Sequence, residues 1–322
     1  MNARVEVHLT AHDLRAALRG DVEAGLTSMP KELPPKWFYD QRGSELFDRI
    51  TRLPEYYPTI RERFLLAEQS DYVARFTGAD TVVELGSGTS DKTRLLLDAF
   101  RKAGSLRRFT PFDVSEATVR QAAAELAAEY PEVEITAVVG DFDHHLGAIP
   151  TDGRRLIAFL GGTIANFAPK PRAEFLAALS ATMAPGDALL LGTDLVKSEA
   201  RMVAAYDDPG GVTAEFNRNV LRVVNRELHA DFVPERFSHV AGFDPEEEWI
   251  EMRLRADEAE MVDVDDLGLT VAFGEGEMMR TEISTKCRRS GVEAELGEAD
   301  LELARWWTDP DGDYAVSLSF RE

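Results

Sequence analysis

A short apolar run that breaks into glycines constrains the fold of this chain more than any other feature. It lies in residues 81–92, TVVELGSGTSDK. The run TVVEL suits a buried strand of a parallel sheet. Gly86 and Gly88 let the backbone turn tightly and approach a ligand without a Cβ in the way. A helix through Leu95–Phe100 is predicted to follow, so the segment predicts the first βα unit of a nucleotide-binding α/β fold.

The residues after the glycines indicate which nucleotide such a unit would bind. Ser90 is predicted to cap the helix, with Asp91 in its first turn. A dinucleotide fingerprint, G-x-G-x-x-G, requires glycine where Asp91 stands, because the helix must pack closely on the sheet. The pattern E-x-G-x-G, which begins at Glu84, is instead typical of S-adenosylmethionine (SAM)-dependent methyltransferases. The alternative is an ordinary βα turn that binds no ligand.

Composition limits the classes of partner. The 322 residues carry a net charge of −22, which argues against nucleic acid and against an anionic membrane surface. Cys287 is the single cysteine, so an internal disulfide framework and a multi-cysteine zinc site are excluded. The first residues contain no apolar signal-peptide core, and no apolar run approaches the roughly 20 residues that span a bilayer. We therefore expect a soluble, cytoplasmic protein.

Strand and helix patterns alternate after the glycine turn, as in a doubly wound sheet. Further strands are predicted at 108–113, 134–140, 155–160 and 188–194, with helices at 115–130 and 172–183. The alternation changes after residue 195. From there the sequence predicts a helix at 212–228, strands at 249–256 and 269–273, a helix at 282–297, and a closing β-hairpin of 301–308 with 314–320.

These patterns predict two domains in an α/β protein. Residues 61–195 and 285–322 would form a Rossmann-like core of the class I methyltransferase type, a doubly wound sheet with a closing β-hairpin. Residues 1–60, which include an amphipathic helix at 9–25 and a stretch dense in aromatic residues, would join residues 196–284. Together they would form a smaller, discontinuous α+β domain that binds the substrate.

Polar residues at the predicted strand ends are candidates to bind a cofactor, because doubly wound sheets bind ligands at the carboxyl ends of their strands. Asp113 ends the second strand, where its carboxylate can accept hydrogen bonds from both ribose hydroxyls. Asp141 ends the third and can accept one from the adenine amino group, with Phe142 against the base. Lys92 can pair with the methionyl carboxylate of SAM. Each acid could instead cap a helix.

Asn166, in the sequence GGTIANF after the fourth strand, is a candidate to bind the substrate. Its amide both donates and accepts hydrogen bonds, which suits an amino-acid head group. Asparagine is also common in turns, so the position alone leaves both interpretations open.

No metal site is expected. His144 and His145 are adjacent and lack a cluster of partner ligands. The sequence DPDGD at 309–313 has the wrong spacing for a calcium loop, and Phe320 stands where the bidentate glutamate belongs. A hairpin turn is predicted there instead.

Five segments together resemble one family. They are PKWFYDQRGSELFDRITRLPEYYPT, VVELGSGTSDKT, FLGGTIANF, LLLGTDLVK and WWTDPDGDYAVSLSF. In them the chain is similar, over essentially its whole length, to the histidine-specific methyltransferases of ergothioneine biosynthesis. The first, aromatic-rich segment is far more specific than the glycine turn. FLGGTIANF departs from the usual pattern, with Gly162 and Ala165 where the family often has serine and glycine.

The resemblance implies an enzyme that converts L-histidine to its α-N-trimethyl betaine, hercynine, with three molecules of SAM. It implies that SAM is bound by Gly86, Lys92, Asp113, Asp141 and Phe142. It implies that histidine is bound by Tyr56, Asn166, Tyr206, Glu282 and Ser284. Asn166 and Tyr206 would take the carboxylate end, and the other three the imidazole, whose ring nitrogens a glutamate and a hydroxyl can satisfy. The residue pattern alone would not single out Tyr206 or Glu282.

Two more residues are candidates because of the reaction itself, an in-line attack of the α-amine on the sulfonium methyl group. The amine must be neutral to attack, and Tyr39 is a candidate to interact with it or with a bound water, solvent being the alternative proton acceptor. Each transfer enlarges a cation at the substrate nitrogen. The ring of Phe47 could attract that cation by roughly 0.5–2 kcal/mol.

Three other interpretations stay open from the sequence. The first is a related methyltransferase that acts on a different amine. The second is a nicotinamide-dependent oxidoreductase, which Asp91 disfavours, and the third is a non-catalytic binding or scaffold module. In the favoured interpretation the partners are small molecules, with no nucleic acid and no membrane, and the chain is a monomer.

Overall fold

The computed structural model describes residues 3–88, 90, 92–142 and 144–321. The chain divides into two compact units, each built from separate segments. Unit 1 contains Met1–Leu9, Pro58–Val196 and Cys287–Glu322, and unit 2 contains Thr10–Tyr57 and Lys197–Lys286.

The described residues form strands and helices that follow one another along both units. The strands are β1 (Ala3–Val7), β2 (Thr81–Leu85), β3 (Arg108–Asp113), β4 (Glu134–Val139), β5 (Arg155–Phe159), β6 (Ala188–Asp194), β7 (Phe237–Asp244), β8 (Trp249–Ala256), β9 (Glu260–Val264), β10 (Leu269–Phe273), β11 (Met278–Thr285), β12 (Leu301–Thr308) and β13 (Tyr314–Arg321). The α-helices are α1 (Ala11–Thr27), α2 (Gln41–Ile50), α3 (Tyr57–Thr77), α4 (Thr93–Lys102), α5 (Glu116–Glu129), α6 (Pro169–Ala181), α7 (Glu199–Tyr206), α8 (Val212–Leu228) and α9 (Arg289–Glu298).

One large sheet organises unit 1. Its strand order, over the described residues, is β1-β4-β3-β2-β5-β6-β13-β12. In this order, each strand from β1 across to β6 is parallel to the strand beside it. Strand β13 runs antiparallel to β6 and forms a hairpin with β12. The chain moves from β2 to one side through β3 and β4 and to the other side through β5 and β6. The order therefore reverses beside β2, and ligands bind at such a point, outside the carboxyl ends of the strands.

Both faces of this sheet are covered. Val82 packs in an apolar cluster with Phe100 of α4, and the next residue, Val83, packs in a second cluster with Phe175 of α6. Because successive side chains of a strand point to opposite faces, the two clusters lie on opposite faces of the sheet. The predicted Rossmann-like, doubly wound sheet with a closing hairpin is confirmed.

Unit 2 is an α+β assembly. Strands β11, β8 and β7 form an antiparallel sheet in that order, and β9 pairs with β10. Helix α8 supplies the fully buried residues Val220 and Val224 to the apolar cluster of this unit. The predicted helix at 212–228 and the predicted strands at 249–256 and 269–273 are confirmed residue for residue.

The N-terminal strand corrects the predicted division of the chain. The sequence assigned residues 1–60 to the second domain, but β1 pairs in parallel with β4, with Ala3 opposite Ile135 and Val7 opposite Val139. The strand therefore forms an edge of the large sheet. Only Thr10–Tyr57 of this segment belongs to unit 2, and residues 58–60 belong to unit 1.

The predicted helix at 282–297 is also wrong in its first part. Residues 278–285 form β11, which pairs along β8 with Ile283 opposite Glu251. Met279, Thr281 and Ile283 are buried in alternation, the period of a strand. Helix α9 begins only at Arg289, so Glu282 lies in a strand.

Candidate active site

The glycine turn follows β2 at the point where the strand order reverses. Gly86 and Gly88 have φ of +68° and +48°, a region in which glycine pays no Cβ penalty. The backbone amides of Gly86 and Ser87 donate to the carbonyl of Phe112 at 2.9 and 3.1 Å, so the turn is held against the end of β3. Asp91, predicted in the first helical turn, lies outside the described residues.

Glu84, the first residue of the E-x-G-x-G pattern, turns inward and is 4% exposed. Its carboxylate accepts hydrogen bonds from the hydroxyls of Ser90, at 2.9 Å, and Thr93. Burial raises the pKa of Glu84 to about 7, although these two bonds oppose the shift. The prediction that Ser90 caps the helix is wrong, because α4 begins at Thr93 and Ser90 binds Glu84 with a φ of +54°.

Asp113 lies directly beside the glycine turn. Its Oδ2 accepts the backbone N–H of Gly88 at 3.0 Å, and its Oδ1 accepts that of Ser115, also at 3.0 Å. Burial raises the pKa of Asp113, and the backbone hydrogen bonds oppose the shift. Ser115 is the N-cap of α5, so the carboxylate of Asp113 supports the turn rather than capping the helix itself.

Asp141 and Phe142 follow β4. Asp141 Oδ1 accepts the backbone N–H of His144 at 2.8 Å and lies 3.1 Å from Nδ1 of His145. The half-buried ring of Phe142 stacks on Phe112 with 5.7 Å between ring centroids, and its Cζ lies 3.6 Å from the position a Cβ on Gly86 would take. Phe142 therefore lies against the glycine turn.

Lys92 forms an ion pair with Glu62, a residue of α3 that the sequence did not single out. Glu62 is fully buried, and its Oε1 also accepts the backbone N–H of Gly161 and the hydroxyl of Tyr314, both at 2.7 Å. A Cβ on Gly192 would collide with the same oxygen, which explains the glycine inside β6. Glu62 thus links the lysine to the loop after β5.

Asn166 ends a short 3₁₀ turn, Thr163–Asn166, in the loop after β5. Gly162 precedes the turn with a φ of +70°, so its glycine suits the backbone better than a serine would. Asn166 is half-buried. It therefore lies at the carboxyl edge of the sheet, as the strand pattern predicted.

In unit 2, the candidate catalytic residue Tyr39 and three of the predicted substrate residues form a row of edge-to-face aromatic contacts. Ring centroids lie 5.5 Å apart for Tyr39–Phe47, 6.1 Å for Phe47–Tyr56 and 6.2 Å for Tyr56–Tyr206. Phe216 of α8 contacts both Tyr39 and Phe47, at 5.5 and 5.8 Å. Such pairs prefer this geometry and fix the rings relative to one another.

Helix α2, which carries Phe47, is held firmly at its start. Asp40 Oδ1 accepts the backbone N–H of Gly43 at 2.8 Å and the side-chain amide of Asn219 at 2.7 Å. A Cβ on Gly43 would collide with the carbonyl of Phe38, so α2 needs glycine at that position. These contacts explain part of the aromatic-rich segment through local packing.

Polar residues lie beside Tyr206. Its hydroxyl is 2.7 Å from Ser284 Oγ, and both oxygens accept hydrogen bonds from Nζ of Lys286, at 3.0 and 2.9 Å. Glu282 lies two residues before Ser284 on β11 and is half-buried. Burial raises its pKa to about 8, and the attraction of Lys286 partly opposes this.

Comparison with known proteins decides the family. Residues 18–321 match the family described as “Histidine-specific methyltransferase, SAM-dependent”. The chain belongs to this family. It is 60% identical to the histidine N-alpha-methyltransferase of Mycolicibacterium smegmatis over 98% of each chain, and 59% identical to the protein of that name in Mycobacterium tuberculosis over 99% of each. Ergothioneine biosynthesis protein 1 of Schizosaccharomyces pombe is 35% identical over 60% of this chain and 26% of that protein.

The described residues of this histidine-specific methyltransferase fit the SAM that the family implies. The glycine turn exposes backbone at the strand ends, and Asp113 and Asp141 offer acceptors beside it. Phe142 offers a ring for a base, and Lys92 a cation for a carboxylate. Which of these residues contact SAM stays a prediction.

The residues that sequence reasoning missed in this methyltransferase are buried charges. Glu62 and Lys286 are 0% and 1% exposed, yet each lies in a segment that reads as an ordinary amphipathic element. Lys286 follows a run of strand-forming residues, and that run was the available signal. For Glu62 the helical pattern gives no comparable signal, because its partners come from distant segments.

In the described part of the methyltransferase chain, one group of acids could hold a metal ion, Asp309 with Asp311 and Asp313. Arg61 occupies their centre: its Nε lies 3.5 Å from Asp309 and 3.4 Å from Asp313, and it pairs with Asp311. Asp309 also accepts the backbone N–H of Tyr314 at 2.7 Å, which is the geometry of the predicted hairpin turn. Among the described residues, no helix is both long and apolar enough to cross a membrane.

Proposed function

We propose that this chain transfers three methyl groups from SAM to the α-amino nitrogen of L-histidine and releases hercynine, the first step of ergothioneine biosynthesis. The observation that carries the proposal is the 60% identity, over 98% of each chain, to a histidine N-alpha-methyltransferase. The polar and aromatic residues of the two units supply chemistry that this reaction needs.

Residues of unit 1 would hold SAM. Gly86, which has no side chain, would let SAM approach the backbone at the strand ends. Asp113 would accept hydrogen bonds from the ribose hydroxyls while it also holds the glycine turn through Gly88. Asp141 accepts from the adenine amino group, with Phe142 against the base. Lys92 pairs with the methionyl carboxylate, to which Glu62 orients it.

Residues of unit 2, together with Asn166, would hold histidine. Asn166 and Tyr206 donate to the carboxylate, a charge-assisted and therefore strong kind of hydrogen bond. Tyr56, Glu282 and Ser284 meet the imidazole. A carboxyl that holds its proton to about pH 8 can donate to an unprotonated ring nitrogen, and once ionised it can accept from a ring N–H.

When bound, SAM supplies an already activated methyl group, so we propose that neither a metal nor a covalent intermediate takes part. The contribution of the chain is positioning, which can supply as much as about 7–11 kcal/mol when the reacting atoms are held in line. Tyr39 would interact with the amine, or with a water that takes its proton. The ring of Phe47 would face the substrate nitrogen and attract the cation there, which becomes larger with each added methyl group.

The remaining proposals concern the setting of the enzyme. The net charge of −22 favours a soluble cytoplasmic protein with no nucleic-acid or membrane partner. Its partners would be histidine and the mono- and dimethyl forms of histidine, and the chain would act as a monomer. We further propose that unit 1 is the SAM-binding domain and that unit 2 is the substrate-binding domain.

Mass spectrometry of histidine incubated with the purified protein and SAM tests the proposal. We expect a product with three added methyl groups, and fragmentation that places all of them on the α-nitrogen with the imidazole unchanged. A panel of other amino acids serves as the comparison. SAM binding without a histidine product, or faster turnover of another amine, would overturn the assignment of the substrate.

The same assay tests the proposed roles of the residues. Glu282→Ala should raise the KM for histidine and leave the affinity for SAM nearly intact, because its carboxyl is proposed to touch only the imidazole. Glu275→Ala, a change at an exposed residue just before β11, is the matched control. An equal loss of SAM affinity in Glu282→Ala would make Glu282 a structural residue.

A further inference from the structure

A row of hydrogen bonds in unit 2 ends at the backbone of Tyr206. Oγ1 of Thr281 lies 2.6 Å from Oδ1 of Asn217, and both residues are fully buried. Nδ2 of Asn217 lies 2.8 Å from Nδ1 of His239, a half-buried residue of β7. On the other side of the ring, Nε2 of His239 lies 2.8 Å from the carbonyl oxygen of Tyr206. The row therefore connects β11, α8, β7 and α7.

The contacts of Asn217 determine the protonation state of His239. Nδ2 of Asn217 also donates to the carbonyl of Arg253 at 3.1 Å, so a reversed amide would place two acceptor oxygens against each other. The amide therefore donates to Nδ1 of His239, which accepts only when it carries no hydrogen. Because a carbonyl oxygen only accepts, the hydrogen of the ring is on Nε2 and points to Tyr206. Burial lowers the pKa of His239, in agreement with a neutral ring.

The place of Tyr206 in α7 explains why its carbonyl needs a donor. Tyr206 is the last residue of this eight-residue helix, and the carbonyls of a last helical turn have no donor within the helix. The ring of His239 therefore ties the end of α7 to β7. The phenol of Tyr206 extends from the same residue and lies 2.7 Å from Oγ of Ser284. The backbone that His239 holds thus also determines where this hydroxyl lies.

We propose that His239 is a positioning residue for the amino-acid substrate: its Nε2–H fixes the carbonyl of Tyr206, and with it the side chain that takes the carboxylate end of histidine. The inference rests on the proposed function, in which Tyr206 binds that end. It adds a residue that does not itself need to touch the substrate. Its effect should be confined to histidine, since the residues proposed to hold SAM lie in unit 1.

Two substitutions of similar size and polarity separate the two hydrogen bonds of His239. Glutamine can place an amide N–H near the position of Nε2 and so keep the bond to Tyr206. Asparagine is one methylene shorter, so it can accept from Asn217 but does not reach the carbonyl of Tyr206. His229→Asn, at an exposed histidine of unit 2, is the control.

Calorimetric titrations of the folded variants with histidine and with SAM test the inference. We expect His239→Asn to weaken histidine binding by about three- to tenfold, the scale of one neutral hydrogen bond, and His239→Gln to stay within about twofold of the unaltered protein. The affinity for SAM should be unchanged in both, and His229→Asn should change neither affinity. The same loss in both His239 variants, or no loss in His239→Asn, would overturn the inference.

A measurement on the unaltered protein covers the case in which His239→Asn does not fold. Nuclear magnetic resonance of the protein labelled with nitrogen-15 in its histidines distinguishes the two ring nitrogens, and the signals of His239 are those missing in His239→Gln. The Nε2 signal should be that of a protonated nitrogen and should move when unlabelled histidine is added. A hydrogen on Nδ1, or an Nε2 signal that histidine does not move, would overturn the inference.

A separate result concerns the proposed function. Failure of the unaltered protein to bind histidine would overturn that function, and with it this inference. Histidine binding that is normal in the unaltered protein and insensitive to His239 would overturn the inference alone.

Discussion

The backbone amide of Gly88 donates a hydrogen bond to Oδ2 of Asp113 at 3.0 Å. This bond fixes the second glycine of the turn to the end of the neighbouring strand. The other oxygen of the same carboxylate accepts from Ser115 at 3.0 Å, so Asp113 serves two backbone segments at once. A group that already orders the turn is also the one proposed to receive the ribose of SAM.

Asp113→Asn should weaken SAM binding by about 10–100-fold. An asparagine offers one acceptor oxygen where the aspartate offers two, so a bond to Gly88, to Ser115 or to the ribose must be lost. Calorimetric titration with SAM measures the loss. Glu116→Gln, an exposed change in the first turn of α5, should leave the affinity unchanged. Unaltered affinity in Asp113→Asn would place the ribose elsewhere.

Phe47→Ala should weaken binding of dimethylhistidine more than binding of histidine. The ring is proposed to face the methylated nitrogen, and a cation–π contact of roughly 0.5–2 kcal/mol is lost with it. Titrations with histidine and with its mono- and dimethyl forms give the three affinities. Phe47→Leu separates lost packing from lost ring electrostatics, since leucine keeps most of the apolar bulk. Equal losses for all three ligands would argue against the contact.

Glu282 should lower the stability of the unliganded protein as the pH rises. Its carboxyl has a pKa of about 8 in the folded chain and 4.5 as the ordinary value. Between these two values the folded chain holds a proton that the unfolded chain has released, so the free energy of unfolding falls with increasing pH. Below the lower value both states are protonated and the effect vanishes.

Glu282→Gln removes this dependence. As the pH rises from about 5 to about 8, the stability of the variant relative to the unaltered protein should increase by about 1–3 kcal/mol. A fully buried carboxyl would give a larger increase. Urea unfolding at both pH values measures the difference. Glu275→Gln, at an exposed position, should follow the unaltered protein. Parallel pH profiles for both variants would mean that Glu282 titrates normally.

A buried ion pair lies at the amino ends of the strands, away from the carboxyl ends that carry the candidate site. It should matter for stability and not for ligand binding. Asp187, 2% exposed, accepts from Nε of Arg155 at 2.8 Å and from Nη2 of Arg155 at 2.5 Å. Asp187→Ala leaves the guanidinium buried without its partner and should cost about 3–5 kcal/mol of unfolding free energy. Asp152→Ala, at an exposed residue of the preceding loop, should cost little. Histidine and SAM affinities of the folded variant should be unchanged.

Inner strands of the large sheet were predictable, although the edge strand β1 was not, because burial on both faces leaves a run of apolar residues in strands such as β6. β3 and β6 lie at the predicted 108–113 and 188–194. β11 was mistaken for the start of a helix, because polar residues such as Glu282 interrupt its apolar pattern. Its extended form depends on pairing with β8, although its strand-forming residues, such as Ile283 and Thr285, were a weak local signal.

The candidate site was also predictable only where a local feature of the sequence marks it. Asp113 and Asp141 were predictable from position, because a strand end is a local feature of the sequence. Ser90 was assigned to a helix cap by residue type, and its φ of +54° and its bond to Glu84 depend on the buried carboxylate beneath the turn. The roles of Glu62 and Lys286 depend on contacts with distant parts of the chain, such as Gly161 for Glu62 and Tyr206 for Lys286. A local stretch of sequence does not show these contacts.

The order of segments along the chain has a consequence for biosynthesis. The last residue of unit 2, Lys286, is synthesised before β12 and β13. Until β13 arrives, β6 presents an open edge of unpaired backbone groups, which other chains can pair with. The large sheet is therefore the last part of the protein to receive its strands, and the yield in the cell should depend on how quickly the hairpin of β12 and β13 closes that edge.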